Sequence, residues 1–262
     1  MKKINIAVLT QDDSFVIPKN IELLSSEPRT NIASIVKINS QGSLENKKLF
    51  FLKGFGFFQG SKMASRIFLN KFLDIVDQIF FYKLKLLKSL KSSAKILGAN
   101  YHVVDNPNQK FLIDKLKEEN IDLIVSYSAP CVFEQELLEL PKYGCINLHC
   151  SLLPKFAGLL PSFWTLYEES KYIGATVHMM DNKIDNGAIL AQEKMIRPKG
   201  TTMFSAINLT KKMGGKIMLD TITKIIDGEA NLISNQANEE LYKTWPSYEQ
   251  IKQFRQKGGK LI

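Results

Sequence analysis

Cysteine is scarce in this 262-residue chain: Cys131, Cys145 and Cys150 are the three present, an odd number. They offer no disulfide framework. With no apolar leader after Met1-Lys2-Lys3, the expected setting is a reducing cytoplasm, with peripheral contact to the inner face of the membrane left open. Uninterrupted apolar runs are missing as well. The segment richest in phenylalanine is broken by Asn70, Lys71, Asp74, Asp77 and Lys83, which excludes a bilayer span there. Glycine is absent from the turn after the first apolar run, Thr10-Gln11-Asp12-Asp13-Ser14, where an ordinary dinucleotide cradle would need it. Gly54, Gly56 and Gly60 do not repair this, because their spacing is wrong and no strand precedes them. Acids are outnumbered, 26 against 35 Lys and Arg, so the net charge of +9 favours an anionic partner.

What is present is a soluble composition, 45% hydrophobic, in a chain long enough for one sizeable core. Residues 3–9 and 31–38 read as strands with a helix between them, about Pro18 to Ser26. Tyr101–Asp105 reads as a strand, then Asn106-Pro107 as the cap and first turn of a helix reaching about Asn120. A strand at 121–127, a helix at 133–140 and a strand at 145–149 follow. Beyond them come a helix at 162–169, strands at 173–180 and 188–195, a long helix at 202–226 stopped by Asp227-Gly228, and a polar tail with one short helix after Pro246. The alternation predicts an α/β, Rossmann-like, doubly wound and mostly parallel sheet.

Residues 47–95 break the alternation, with eleven Lys or Arg against two acids and nine of the sixteen phenylalanines. Leu69, Phe72, Leu73, Val76, Phe80, Leu84 and Leu87 recur at helical spacing and predict a basic amphipathic helical insertion. Such a lobe could pack on the sheet or on a second subunit, lie on a membrane surface, or touch nucleic acid.

In CINLH, residues 145–149, alternation places Cys145, Asn147 and His149 on one face and turns Ile146, Leu148 and Cys150 the other way. That excludes a metal site built on Cys145, His149 and Cys150, and no metal is expected; the cysteines read as small core residues. Ser151 lacks a nucleophile elbow and reads as a turn residue. Asn147 can donate to an oxygen gaining charge, His149 can carry a proton near neutral pH, and Asp185, in the loop 181–187, can orient the imidazole or a water. The residues alone leave two readings: a centre for acyl transfer through a tetrahedral intermediate, or polar groups satisfied by hydrogen bonds.

The stretch NLHCSLLPKFAG, followed after about twenty residues by GATVHMMDNKIDNGAILAQ, resembles the core of the folate-dependent formyltransferases. That family includes glycinamide ribonucleotide and methionyl-tRNA formyltransferases, nucleotide-sugar N-formyltransferases and formyltetrahydrofolate hydrolase. The resemblance covers about residues 100–210 well and the first forty loosely. It implies a catalytic domain over 1–228 with the insertion at about 45–98, a short tail at 229–262, and 10-formyltetrahydrofolate as formyl donor. It implies catalytic roles for Asn147, His149 and Asp185. His178 matches a family histidine and reads as mainly structural. Ser128, Ala129, Pro130, Cys131 and Val132 resemble one wall of the folate site, with Met180, Asp181 and Ile184 on the other.

Departures from the family point to the acceptor. Ala157 stands where the tRNA enzymes usually carry arginine, and only a short tail follows in place of their C-terminal barrel. The loop TQDDS is not the phosphate loop of the glycinamide ribonucleotide enzymes. The expected acceptor is a primary amine on a small molecule or sugar, nucleotide- or lipid-linked, with tRNA less favoured and a homodimer left open. A methionyl-tRNA formyltransferase-like enzyme, a hydrolase and a non-catalytic binding protein are the alternatives. Phe156 to Trp164 are expected to wall the acceptor side.

Overall fold

The computed structural model describes residues 3–39, 53–236 and 241–262; residues 45–52 of the expected insertion lie outside them. Strands β1 (Ile4–Thr10), β2 (Thr30–Ile38), β3 (Asn100–Val104), β4 (Leu123–Tyr127) and β5 (Cys145–His149) form parallel pairs in the order β3-β2-β1-β4-β5. After the two-residue strand β6 (Ala157–Gly158), β7 (Tyr172–Met179) and β8 (Ile189–Ile196) extend the sheet as antiparallel neighbours of β5. The sheet is therefore mostly parallel, as the alternation predicts. Strands buried on both faces read as apolar runs, which is why β1 and β4 are legible without a period-two pattern.

Helices cover both faces. Helices α1 (Ile17–Leu24), α3 (Leu90–Leu97) and the long α7 (Met203–Asp227) bury Ile21, Leu24, Ala94, Met218 and Ile222 against Ile146, Leu148 and Val177. On the opposite face α4 (Lys110–Glu118) and the single turn α5 (Gln135–Leu138) bury Leu112, Leu116 and Leu137, with Phe133 just before α5, against Ala7, Leu9 and Cys145. Thr202 caps α7 in a reciprocal bond with Ser205, and Gly228, left-handed at φ 73°, ends it. Within α7, Gly214 lets the helix seat on β5, because a Cβ there would come within 2.4 Å of Leu148.

Two expectations are corrected. Asn106 does not cap α4: its side chain accepts from the Asn108 N–H at 2.9 Å, a local turn that delays the helix to Lys110. The insertion is helical as α2 (Phe57–Ile79), but Leu84 and Leu87 lie beyond it, and the chain at Phe81, Tyr82, Lys85 and Leu87 runs through positive φ. The apolar stripe turns largely outward: Leu69, Phe72, Phe80 and Leu84 are exposed, Leu73 and Val76 half-buried and Leu87 buried, while Asn70 and Asp77 are the buried residues of α2. Polar contacts set that orientation. Asn70 donates to the Ser14 carbonyl at 2.9 Å, and Asp77 accepts the Leu86 N–H at 2.8 Å.

The tail returns to the body. Strand β9 (Tyr242–Lys243) pairs with β6, and α8 (Tyr248–Gln256) buries Ile251 and Phe254 with Phe163 and Trp164 of α6 (Pro161–Tyr167). Phe156, Phe163 and Trp164 thus fill a small core, and Leu159 is the exposed apolar residue of the expected acceptor wall. Among the described residues, no helix is long and apolar enough to cross a membrane.

Candidate active site

Of the polar pair that alternation aims from one face of β5, Asn147 is half-buried and His149 buried. Antiparallel pairing with β7 sets His178 opposite Asn147 and Thr176 opposite His149, so all four share a face. Beyond β7 the chain passes Met180, whose N–H donates to the Cys145 carbonyl at 2.8 Å, and rises along β5 to Asp185. There Asp185, buried and left-handed at φ 51°, meets both imidazoles: Oδ2 lies 3.2 Å from His149 Nδ1 and Oδ1 3.5 Å from His178 Nε2. The Gly158 N–H adds a bond to Oδ2 at 2.7 Å, and Asn235 Nδ2 holds the Asp185 carbonyl at 2.8 Å. Sequence-predicted Asn147, His149 and Asp185 are therefore brought into one centre.

Hydrogen bonding assigns the rings. His178 Nδ1 donates to the Met179 carbonyl at 2.7 Å, which leaves Nε2 to accept from Asn147 Nδ2 at 3.1 Å. One amide hydrogen of Asn147 is used there and the second stays available. His178, read from sequence as mainly structural, touches both Asn147 and Asp185; the signal was the period-two placement of Thr176 and His178 in GATVHMM. His149 has acceptors at both nitrogens, Asp185 at Nδ1 and the Phe156 carbonyl at Nε2, 2.9 Å away. Burial lowers its pKa, but the charge and hydrogen bond of Asp185, with the Phe156 carbonyl, outweigh burial and raise it above the ordinary value. Asp185 is held far below the usual carboxylate range: burial opposes ionisation, and the charge and hydrogen bond of His149 overcome it. The centre is an imidazolium–carboxylate pair with a neutral amide beside it.

The turn after His149 is pinned from the sheet. Thr176 Oγ1 donates to the Ser151 carbonyl at 2.7 Å and accepts from the Leu153 N–H at 3.1 Å, while Gln192 Nε2 reaches the Leu153 carbonyl at 2.9 Å. Ser151 itself bonds the Lys155 carbonyl at 3.2 Å, the turn role expected of it. Cys150 faces away, beside Thr210, and Cys145 is buried with its thiol pKa pushed up to about 12, so neither is a thiolate at neutral pH.

The expected folate walls flank the same face. Ser128, left-handed at φ 56°, leads from β4 into Ala129, Pro130, Cys131 and the exposed Val132, whose carbonyl Asn108 Nδ2 holds at 3.0 Å. Ala129, Cys131 and Met180 pack on one apolar cluster with Cys145 and Phe133. Asp181 accepts from Lys183 N and Asn186 Nδ2, both at 2.9 Å, and Ile184 is exposed.

An imidazole held by a carboxylate titrates in a specific way. His149, with its raised pKa, adds stability that is complete below the unfolded value of about 6.5 and is lost as pH rises through the folded value. Asp185, with its depressed pKa, adds stability that is complete above about 3.9 and is lost as pH falls through its folded value. The pair therefore contributes most between about pH 4 and 6.5. In Asp185→Asn, burial of His149 is opposed only by the Phe156 carbonyl, and the midpoint of an NMR titration of its ring protons is expected to fall. A midpoint unchanged by the substitution refutes the pairing.

Residues 91–222 match the family described as formyl transferase. Over 142 residues the chain is 32% identical to a methionyl-tRNA formyltransferase of Clostridium novyi, covering 54% of this chain and 46% of that one. The chain spans about half the length of the curated relatives it matches. Glycinamide ribonucleotide transformylase 1 from Symbiobacterium toebii superimposes with TM-score 0.61 at 15% identity, over 89% of this chain and 95% of that one. A sugar N-formyltransferase from a Shewanella species gives 0.58 at 15%, over 96% and 87%. Both likenesses are of fold.

Proposed function

We propose, from the premise that this chain belongs to the formyl transferase family, that it moves a formyl group from 10-formyltetrahydrofolate to a primary amine. The observation that carries the reading is the buried Asn147–His149–Asp185 centre with the amide as its accessible member. In the transfer the amine nitrogen bonds to the formyl carbon, the bond from that carbon to the folate nitrogen breaks, and the formyl oxygen carries negative charge between. Asn147 donates its second amide hydrogen to that oxygen. His149, kept protonated by Asp185, shares its Nε2–H between the Phe156 carbonyl and the substrate, passes the proton to the leaving nitrogen, and then accepts one from the amine. Asp185 orients the ring, and His178 positions the Asn147 amide. Ser128–Val132 and Met180, Asp181 and Ile184 hold the donor's ring.

The acceptor we assign is a phosphorylated amine, an amino sugar linked to a nucleotide or a lipid phosphate. A cavity of about 290 Å³ opens where α2, α7 and the β1–α1 loop meet, lined among others by Arg66, Lys88, Lys212, Asn208, Phe15 and Phe204. Among the described residues its wall carries three cations and no carboxylate. Burial, then the like charge of Lys19, holds the Lys88 ammonium below its ordinary pKa, a cost that a bound anion offsets. Lys211, the neighbour of Lys212 in α7, pairs with Asp13 at 2.7 Å, and the charges of both act on Cys150, the residue after His149. A second reading, transfer to methionyl-tRNA, is favoured by the identity of the sequence relatives.

Consumption of 10-formyltetrahydrofolate, followed with nucleotide-linked and lipid-linked amino sugars, initiator methionyl-tRNA, glycinamide ribonucleotide and no amine, tests both. Turnover is expected only with an amine, and fastest with a phosphorylated amino sugar. Formate release at the same rate without amine makes the protein a hydrolase and overturns the reading.

A further inference from the structure

The outward face of α2 has no place in the formyl-transfer chemistry. At the helical repeat, Phe57, Phe68, Phe72, Ile75 and Ile79 fall within roughly 60° of one another, directly away from buried Asn70 and Asp77. The phenylalanines are displayed to solvent: Phe58 is 81% exposed, Phe68 73%, and Phe81, just past the helix, 82%. An apolar surface of this kind on a basic chain calls for a partner. The polar residues on the arc, Ser61 and Ser65, spend their hydroxyls on the carbonyls of Phe58 and Ser61.

Charge selects the partner. Lys62 and Lys71 fall on the two margins of the arc, Lys83 and Lys85 follow it, and none of the four has a carboxylate partner among the described residues. The segment's two acids point inward: Asp77 is fully buried, and Asp74 accepts from Ser89 Oγ at 2.8 Å. A second copy docking through this face about a two-fold axis would set lysines against lysines, with no exposed anion among the described residues of the segment to answer them. Aromatic rings flanked by lysines whose stems can extend toward phosphate match the acyl–headgroup boundary of an anionic bilayer.

We propose that α2 is a peripheral membrane-docking helix that lies flat on anionic phospholipid, burying Phe57, Phe58, Phe68 and Phe72 while Lys62, Lys71, Lys83 and Lys85 contact headgroup phosphates. Arg66, Leu69 and Asn70 of the same helix line the acceptor cavity from its inward side, so docking leaves that cavity one helix diameter, ~10 Å, from the lipid surface. The proposal does not depend on formyl transfer, and its test needs none.

Co-sedimentation of the purified chain with phosphatidylcholine vesicles, with and without phosphatidylglycerol, reads it. Binding is expected only with phosphatidylglycerol, weakening as salt is raised. The triple variant Phe57→Ser/Phe58→Ser/Phe68→Ser is expected to bind at least about tenfold more weakly with an unchanged circular-dichroism melt, as these side chains touch water in the free protein. Lys62→Glu/Lys71→Glu is expected to abolish the preference for phosphatidylglycerol. Vesicle binding equal in wild type and triple variant overturns the proposal. So does failure of the wild type to bind while it sediments as a dimer that the triple variant breaks.

Discussion

Asn147→Ala is expected to lower kcat for formyl transfer by about 10²–10³-fold with KM for the folate donor nearly unchanged, the signature of a donor that acts on charge developing in the transition state. The variant is a clean one, because Asn147 is half-buried and its bond to His178 is its one side-chain hydrogen bond among the described residues. His149→Ala is expected to cost about 10²–10⁴-fold in kcat, but it also strands Asp185, buried, without its imidazolium. A stability loss of about 3–5 kcal/mol is the order expected for breaking a buried pair from one side. Thermal melts must accompany the kinetics of that variant, and Asn147→Ala keeps the test decisive where His149→Ala folds poorly. His178→Gln separates positioning from chemistry. A glutamine oxygen can still accept from the Asn147 amide, so His178→Gln is expected to retain far more kcat than His178→Ala. Equal kcat in wild type and Asn147→Ala removes this face of β5 from the reaction.

Much of this centre is legible in the sequence because one strand aims two of its members. Alternation in CINLH places Asn147 and His149 together before any tertiary contact is known, while Asp185, well separated in the chain, is legible as the acid of a glycine-containing loop between two strands. His178 is harder to read, since its role depends on the antiparallel register that sets it opposite Asn147, and register is a tertiary property. The same holds for Gly158, Gln192 and Asn235, which act through bonds spanning 27 to 50 positions in the chain. Periodicity found the helix of the insertion but not its sense. A hydrophobic stripe ordinarily faces the core, and here buried bonds of Asn70 and Asp77 turn it outward, a local violation of the burial rule of the kind expected at functional surfaces. The tail misled in the opposite direction. Its polar composition conceals Ile251, Phe254 and Leu261, three anchors that complete the small core around Phe163.

Lys88→Gln/Lys212→Gln is expected to raise KM for a phosphorylated amine acceptor by about 10–10²-fold while kcat and KM for the folate donor hold. Each lysine removed takes away one charge-assisted contact to phosphate, typically about 1.5–3 kcal/mol, and part of that is regained because water refills the cavity. The substitution also relieves the repulsion between Lys88 and Lys19, so the free protein is expected to be no less stable than wild type. That opposition, weaker binding with stability kept, distinguishes a binding cavity from a structural one. Arg66 gives the complementary case. Its guanidinium lies 4.8 Å from the centre of the Phe204 ring, so Arg66→Lys keeps the charge but loses planar stacking and bidentate reach. A rise in KM with Arg66→Lys would mean that the cavity reads phosphate geometry as well as charge. If the double variant lowers kcat with KM unchanged, the cations act on the reacting centre through Lys211 and Asp13, and the phosphate of the acceptor lies elsewhere.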